Sequence, residues 1–175
     1  PGNDQIIGDN TGSGDDEINA GAGDDDVISG PGDDEIFAGS GDNSIDAGAG
    51  DDTIWAGSGT DTIDGGDGFD AVFFDASRDD ATVVHNPDGT VTVSTPDDGV
   101  DNVLDGVERI TFDYTLAYEG LFLVDDAADL TAALAIAGDG DTILLDDGTD
   151  SGAFEVATGV VLEEQAGAEA IIDGG

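Results

Sequence analysis

The chain has 175 residues, and its 43 acidic residues outnumber two basic ones, which gives a formal net charge of −41 at pH 7. Such a polyanion excludes nucleic acid and anionic membranes as partners, because both would be repelled, and it favours the binding of cations. Without cysteine the chain has no disulfide and no thiolate metal site, and no apolar run approaches the roughly 18 residues that membrane insertion requires.

One nine-residue phrase recurs seven times between Gly12 and Phe74, in the form G-G-x-G-x-D-x-U-x with U aliphatic. The first place has drifted to alanine, serine or threonine in every copy except that of Gly65. Proteins from saline habitats also carry many surface acids, but such a solvation coat needs no register, and the unbroken columns argue against it. The sixth place is held by Asp16, Asp25, Asp34, Asn43, Asp52, Asp61 and Asp70. The second and fourth places are held by Gly12, Gly14, Gly21, Gly23, Gly30, Gly32, Gly39, Gly41, Gly48, Gly50, Gly57, Gly59, Gly66 and Gly68.

The residue types of this phrase indicate a site for a hard cation. Glycine tolerates positive φ and lets backbone carbonyls turn toward a common point, and the sixth-place aspartate adds a carboxylate. Oxygen ligands without histidine or cysteine suit Ca²⁺ better than zinc or copper.

The spacing of the aliphatic residues predicts a coil of very short strands, each with one inward side chain at the eighth place. Two copies make one turn, so residues 18 apart should stack, with rungs about 4.8 Å apart. Carboxylates at that separation repel by roughly 1 kcal/mol per pair even in water. The burial of one aliphatic side chain per copy does not offset this repulsion together with the ordering of nine residues. We therefore expect the metal-free coil to be unstable and calcium binding to be coupled to folding.

The repeat resembles the RTX (repeats-in-toxin) calcium-binding nonapeptide family. The resemblance implies a parallel β-roll with Ca²⁺ held between successive turns on both edges, by the sixth-place residues and by backbone carbonyls of the glycine turns. Asn43 departs from the pattern, and its neutral amide implies a weaker site. Because an ion needs two neighbouring turns to complete its six to eight oxygens, we expect about five to seven ions per chain.

The first residues, "PGNDQII", match the third to ninth places of an eighth copy, with Asp4 at the sixth place. The missing pair of glycines stands at the other end, as Gly174 and Gly175. One interpretation is that this match is coincidental in a glycine-rich chain. The other is that it marks one period of a tandem array, or head-to-tail self-association through the ends of the roll. In the second interpretation Asp4 is an eighth ligand, on the same edge as Asp25.

Residues 75–123 lose the glycine period. Alternating residues around Asn-Pro-Asp-Gly predict a β-hairpin in which Val83 and Val91 share a face. The stretch "GVERITF" resembles the segment that follows the last repeat of RTX modules and caps the roll. His85 fits the end of a strand better than a catalytic base, since no nucleophile is signalled, and we expect Arg109 to pair with an acid. Phe37 and Trp55, at outward ninth places, are either markers of a contact surface or incidental.

Residues 124–175 change character again. An aspartate N-cap, an apolar stripe that includes Leu130 and Leu134, and a stop at Gly138 predict a short helix. The short strands that follow resemble the opening cap and first rungs of right-handed β-helices of the pectate-lyase-like family. The catalytic residues of that family lie on later rungs, so the resemblance supplies none here.

The predicted fold is all-β: a parallel β-roll or β-helix solenoid with a hairpin-containing cap and one short capping α-helix. Its regions are the calcium-binding roll (1–74), the β-rich cap (75–123), and the helix with the first rungs of a second coil (124–175). The pattern favours an extracellular, calcium-dependent structural protein, one period of a fibre, adhesin stalk or matrix filament, and not an enzyme. The alternative is a non-catalytic module of a secreted polysaccharide-active enzyme or protease. Millimolar calcium outside cells suits a protein that calcium folds, whereas micromolar cytosolic calcium does not.

Overall fold

The computed structural model describes residues 2–8, 12–76, 80–87, 89–96, 99–103, 106–112, 119–124, 142–145 and 161–164. Within these ranges the chain forms strands, bridges, bends and turns but no helix. The described residues therefore contain no helix that could span a membrane. The predicted helix after residue 124 lies outside the described residues, as do Gly174 and Gly175. The strands are β1 (Gln5–Ile7), β2 (Glu17–Asn19), β3 (Asp26–Pro31), β4 (Glu35–Phe37), β5 (Ser44–Ala49), β6 (Thr53–Trp55), β7 (Thr62–Asp67), β8 (Ala71–Phe74), β9 (Thr82–His85), β10 (Val91–Thr95), β11 (Gly99–Val103), β12 (Arg109–Phe112), β13 (Glu119–Val124), β14 (Thr142–Leu145) and β15 (Val161–Glu164).

The repeats form a parallel β-solenoid, as the period predicts. Strands β1, β3, β5 and β7 stack in one sheet and β2, β4, β6 and β8 in the other. Ile36 lies level with Ile54, and Ile54 with Val72, so the register of 18 residues per turn is confirmed. Ile6 lies level with Val27, which is 21 residues further along because three residues are inserted after Ile7. Residues 2–7 therefore occupy a rung as an incomplete copy.

The core is a narrow file of side chains between the two sheets. The eighth-place isoleucine and valine side chains from Ile18 to Val72 are buried there. The first place contributes as well, because Ala38, Ala47 and Ala56 are fully buried in the same cluster. The drift of this place from glycine to alanine therefore adds apolar area to a core that has room for only small side chains.

An aromatic stack runs along the outer face of the second sheet. The rings of Phe37 and Trp55 have centroids 4.4 Å apart and planes 12° from parallel, and those of Trp55 and Phe73 are 5.3 Å and 16° apart. All three side chains are half-buried. The ninth-place aromatics thus pack on one another between rungs, and they stabilise the turns in the stacked arrangement.

Both sheets continue beyond the repeats with a change of strand direction. In the first sheet β11 is parallel to β7, and β10 and β9 then pair antiparallel. The predicted hairpin around Asn-Pro-Asp-Gly is confirmed: the Gly89 N–H donates to the Asn86 carbonyl at 3.1 Å, Val91 is buried, and Val83 packs against the core. His85 ends β9. In the second sheet β12 is parallel to β8 and is followed by β13, β14 and β15.

Candidate metal centre

Each sixth-place residue immediately precedes a strand, so the side chains form one column along each edge of the solenoid. The first column comprises Asp16, Asp34, Asp52 and Asp70, and the second comprises Asp4, Asp25, Asn43 and Asp61. Apart from Asp16, which is half-buried, and Asp4, which is exposed, these side chains are at most 3% exposed. The predicted ligands therefore meet in two files, and those of the inner turns are withdrawn from solvent.

Hydrogen bonds tie each column together in one direction. The Oδ1 atom of Asp34 accepts the backbone N–H of Asp16 at 2.8 Å, and Asp52 accepts that of Asp34 at 2.7 Å. The other members of the columns repeat this bond, at 2.7 Å from Asp52 to Asp70, 2.7 Å from Asp4 to Asp25, 2.9 Å from Asp25 to Asn43 and 2.8 Å from Asn43 to Asp61. One oxygen of each of these side chains is thus used to join successive turns.

The second carboxylate oxygen points to a cation. The Oδ2 atoms of Asp25, Asp34, Asp52 and Asp70 are buried and have no hydrogen-bond partner within the described part of the chain. A buried carboxylate oxygen without a partner is costly, and proteins satisfy such atoms with a donor or a metal ion. The columns offer these oxygens in series, so the residues present fit a bound cation.

Asn43 shows what these oxygens face. Its Nδ2 atom, at the position equivalent to the orphaned oxygens, donates to the carbonyl oxygen of Gly41 at 3.1 Å. In the other copies an acceptor, Oδ2, replaces this donor, and a bound cation would satisfy this oxygen together with a carbonyl oxygen of the glycine turn. At Asn43 the amide itself satisfies the carbonyl, which gives a structural reason for the weaker site predicted there.

The carbonyl oxygens must complete any coordination shell. The described residues contain no group of three or more histidine, cysteine, aspartate or glutamate side chains with metal-binding geometry. The glycine turns supply the remaining oxygens: Gly50 has φ +136°, and the space that a side chain would fill there holds the carbonyl of Gly32. A donor set of carboxylate and carbonyl oxygens is the chemistry that Ca²⁺ prefers.

The family comparison agrees with this chemistry. A family model for the RTX calcium-binding nonapeptide repeat (4 copies) matches residues 1–36 and 37–72. Residues 1–72 are an array of RTX calcium-binding repeats. No match is found among curated proteins. The chain therefore contains a calcium-binding RTX roll, and the individual sixth-place residues and glycines remain its predicted ligands.

The fifth-place aspartates have a role that the sequence analysis did not assign. They are exposed, and the Oδ1 atom of Asp33 accepts the backbone N–H of Asp51 at 3.0 Å. The same bond joins Asp15 to Asp33, Asp24 to Asp42 and Asp51 to Phe69. This outer ladder runs opposite to the inner one, since each carboxylate bonds the following turn of the RTX roll. Aspartate in the fifth place of most copies was the signal in the sequence.

Burial raises the pKa of two inner carboxylates, Asp52 and Asp70, in the metal-free roll. Desolvation, partly opposed by the backbone hydrogen bond, raises the pKa of Asp52 from 3.8 to about 6. The same causes raise the pKa of Asp70 to about 7, and the neighbouring charges of Asp52 and Glu108 contribute. These groups take up protons where no cation neutralises them.

We expect the metal-free RTX roll to gain stability as the pH falls. A folded-state pKa above the unfolded value means that the folded chain binds more protons between about pH 4 and pH 7, so its stability rises as the pH falls through this window, and this contribution is absent above it. Circular dichroism in chelator at about pH 8 and about pH 4.5 should show more β-structure at the lower pH. Asp70→Asn should reduce the dependence of the β-signal on pH. A wild-type spectrum that does not change between these two pH values would contradict the prediction.

The two aspartates of one turn should differ in their effect on calcium binding. Asp34→Asn keeps the oxygen that accepts the Asp16 N–H but removes the buried charge. Because the number of charged ligands tunes calcium affinity, we expect a loss of about tenfold or more, which corresponds to about 1.4 kcal/mol. Asp33→Asn, the matched exposed control, should change affinity about threefold at most, as expected of a screened surface charge. Calcium titration followed by calorimetry measures both, and equal losses would mean that the register of the ligands is wrong.

Proposed function

We propose that this chain is an extracellular structural segment that calcium folds into a stiff rod. The observation that carries the proposal is the file of buried Oδ2 atoms without hydrogen-bond partners at Asp25, Asp34, Asp52 and Asp70. A stable roll needs a cation at these oxygens, and millimolar calcium is the extracellular condition that supplies one. In this proposal the ions, rather than a large core, hold the turns together.

We further propose that the rod is one unit of a fibre, stalk or matrix filament. Strand β1 lies at the end of the first sheet in the described part of the chain, and its Ile7 is 54% exposed. An edge of this kind favours the addition of another strand. The incomplete copy that β1 belongs to, with Asp4 donating its backbone N–H to Asp25, supports stacking of a further turn on this end.

The antiparallel hairpin favours the second candidate, a bounded calcium-binding module of a secreted enzyme. Strand β10 pairs antiparallel with both β11 and β9, so it runs against the direction of the roll strands in the first sheet. A module ends its solenoid in this way, whereas a fibre must pass the coil on through the second sheet, where β13 reverses direction against β12 and β14 and β15 then follow β13 in parallel.

Electron microscopy and light scattering of the purified chain distinguish the two functions. Filaments in millimolar calcium that disperse in chelator support the fibre. Ile7→Asp should abolish them, because charge on an edge strand opposes strand addition. Val100→Asp, at a similarly exposed residue of the inner strand β11, should leave them intact. A monomer that is folded by calcium at every protein concentration would overturn the fibre and leave the module.

A further inference from the structure

The turn that closes the repeats is shorter than a repeat. Ile110 lies level with Val72, and Gly106 lies against Gly66. Residues 106–108 therefore cover the distance that residues 66–70 cover in the turn below, with two residues fewer. This segment lies beyond residues 1–72, the part that matches the nonapeptide family.

Glu108 occupies the sixth place of this shortened turn. Its Oε2 atom accepts the backbone N–H of Asp70 at 2.7 Å, which is the bond that Asp70 itself accepts from Asp52 at the same distance. The backbone pattern also continues, because the Arg109 N–H donates to the Asp70 carbonyl at 3.0 Å. The additional methylene of glutamate gives its carboxylate the reach that the missing residues remove.

The second oxygen of Asp70 lies in a small space beside Gly65. Asp70 is fully buried, and its Oδ2 has no hydrogen-bond partner among the described residues. A Cβ atom on Gly65 would lie 2.7 Å from this oxygen and would overlap the carbonyl oxygen of Gly106. Two acceptor oxygens thus converge beside the only first-place residue of the seven copies that is still glycine.

We propose that Asp70, Glu108 and the Gly106 carbonyl bind a Ca²⁺ ion at the closing turn. The proposal rests on the proposed function, since it takes calcium as the ion that the roll binds. The oxygens are of the same hard type as those of the repeats, but one carboxylate and the carbonyl come from the segment after them. This end site couples docking of β12 on β8 to calcium, so the roll and its cap assemble together.

The ion count of Glu108→Gln tests the end site. The amide oxygen still accepts the Asp70 N–H, while the charge is lost. Native mass spectrometry in saturating calcium should show one ion fewer than in the wild type. Glu35→Gln, an exposed glutamate on β4 that is outside both columns, should retain the full number. An equal count in Glu108→Gln and Glu35→Gln overturns the end site while the roll remains a calcium protein. A wild type that binds no calcium overturns the proposed function itself.

A second variant covers loss of folding. If Glu108→Gln lacks the β-signal of the wild type in saturating calcium, the count is made on Glu108→Asp, which keeps the charge but not the reach. One ion fewer in Glu108→Asp supports the proposal, and the wild-type number overturns it. If either folded variant binds the wild-type number of calcium ions, another group satisfies the Asp70 oxygen. The guanidinium of Arg109 is the nearest such group in sequence.

Discussion

Removal of calcium is expected to abolish the β-structure of the repeats and to expand the chain. In the metal-free roll Asp34, Asp52 and Asp70 stand one above another with an unsatisfied oxygen each, and the chain carries a net charge of −41. Each turn buries only small aliphatic side chains, and this burial does not offset the unsatisfied oxygens and the charge repulsion. Because the ions supply the missing free energy, binding and folding should be one transition.

Circular dichroism and small-angle scattering measure this transition. The radius of gyration should rise from near the roughly 16 Å of a compact 175-residue chain toward the roughly 44 Å of an unfolded one. Trp55 is the only tryptophan, and it stacks between Phe37 and Phe73, so its fluorescence reports on three rungs directly. Re-addition of excess calcium is the control and should restore all three signals. A chelated sample that stays compact and β-rich would contradict coupled folding.

The fold of the repeats was predictable because a solenoid translates sequence period into spatial period. Once a turn is 18 residues, the stacking of Ile36, Ile54 and Val72 follows by counting, and so does the alignment of Asp34 with Asp52. The fourth place is glycine in every copy, and this absence of side chains allows the positive φ of Gly50 and its close contact with the carbonyl of Gly32. Local chemistry and register thus indicate the same structure.

The details that were not predictable depend on which atom faces which. Adjacent aspartates such as Asp33 and Asp34 look equivalent as charges, yet one bonds the next turn from outside and the other bonds the previous turn from within. The amide of Asn43 stands in the place of a ligand oxygen and donates to Gly41, which the sequence does not reveal.

The closing turn escaped prediction for a different reason. The shortening by two residues breaks the nonapeptide spacing, so that Glu108 has no glycine pair before it and its acid is glutamate. Only the pairing of β12 with β8 reveals that it continues the column of Asp70.

Gly50→Ala is expected to produce a large loss of stability in the repeats. Gly50 has φ +136°, which costs a residue with a side chain about 1–3 kcal/mol. The added Cβ would also overlap the carbonyl of Gly32 and lie 3.0 Å from Oδ1 of Asp33. The turns would have to separate at that edge, which displaces a predicted calcium ligand and breaks the hydrogen bond from Asp51 to Asp33. We therefore expect a loss of about 3 kcal/mol or more, and a calcium midpoint raised at least tenfold.

Gly14→Ala is the matched control for this substitution. Gly14 holds the same fourth place on the same edge, but a Cβ there meets nothing within 4 Å among the described residues and its φ is not in the left-handed region. Its replacement should shift the calcium midpoint about twofold at most, because it removes only backbone freedom from the unfolded chain. Calcium titrations followed by circular dichroism compare the two variants. Equal shifts would contradict the prediction, because they would show that the close approach of stacked turns does not explain why the fourth place is glycine.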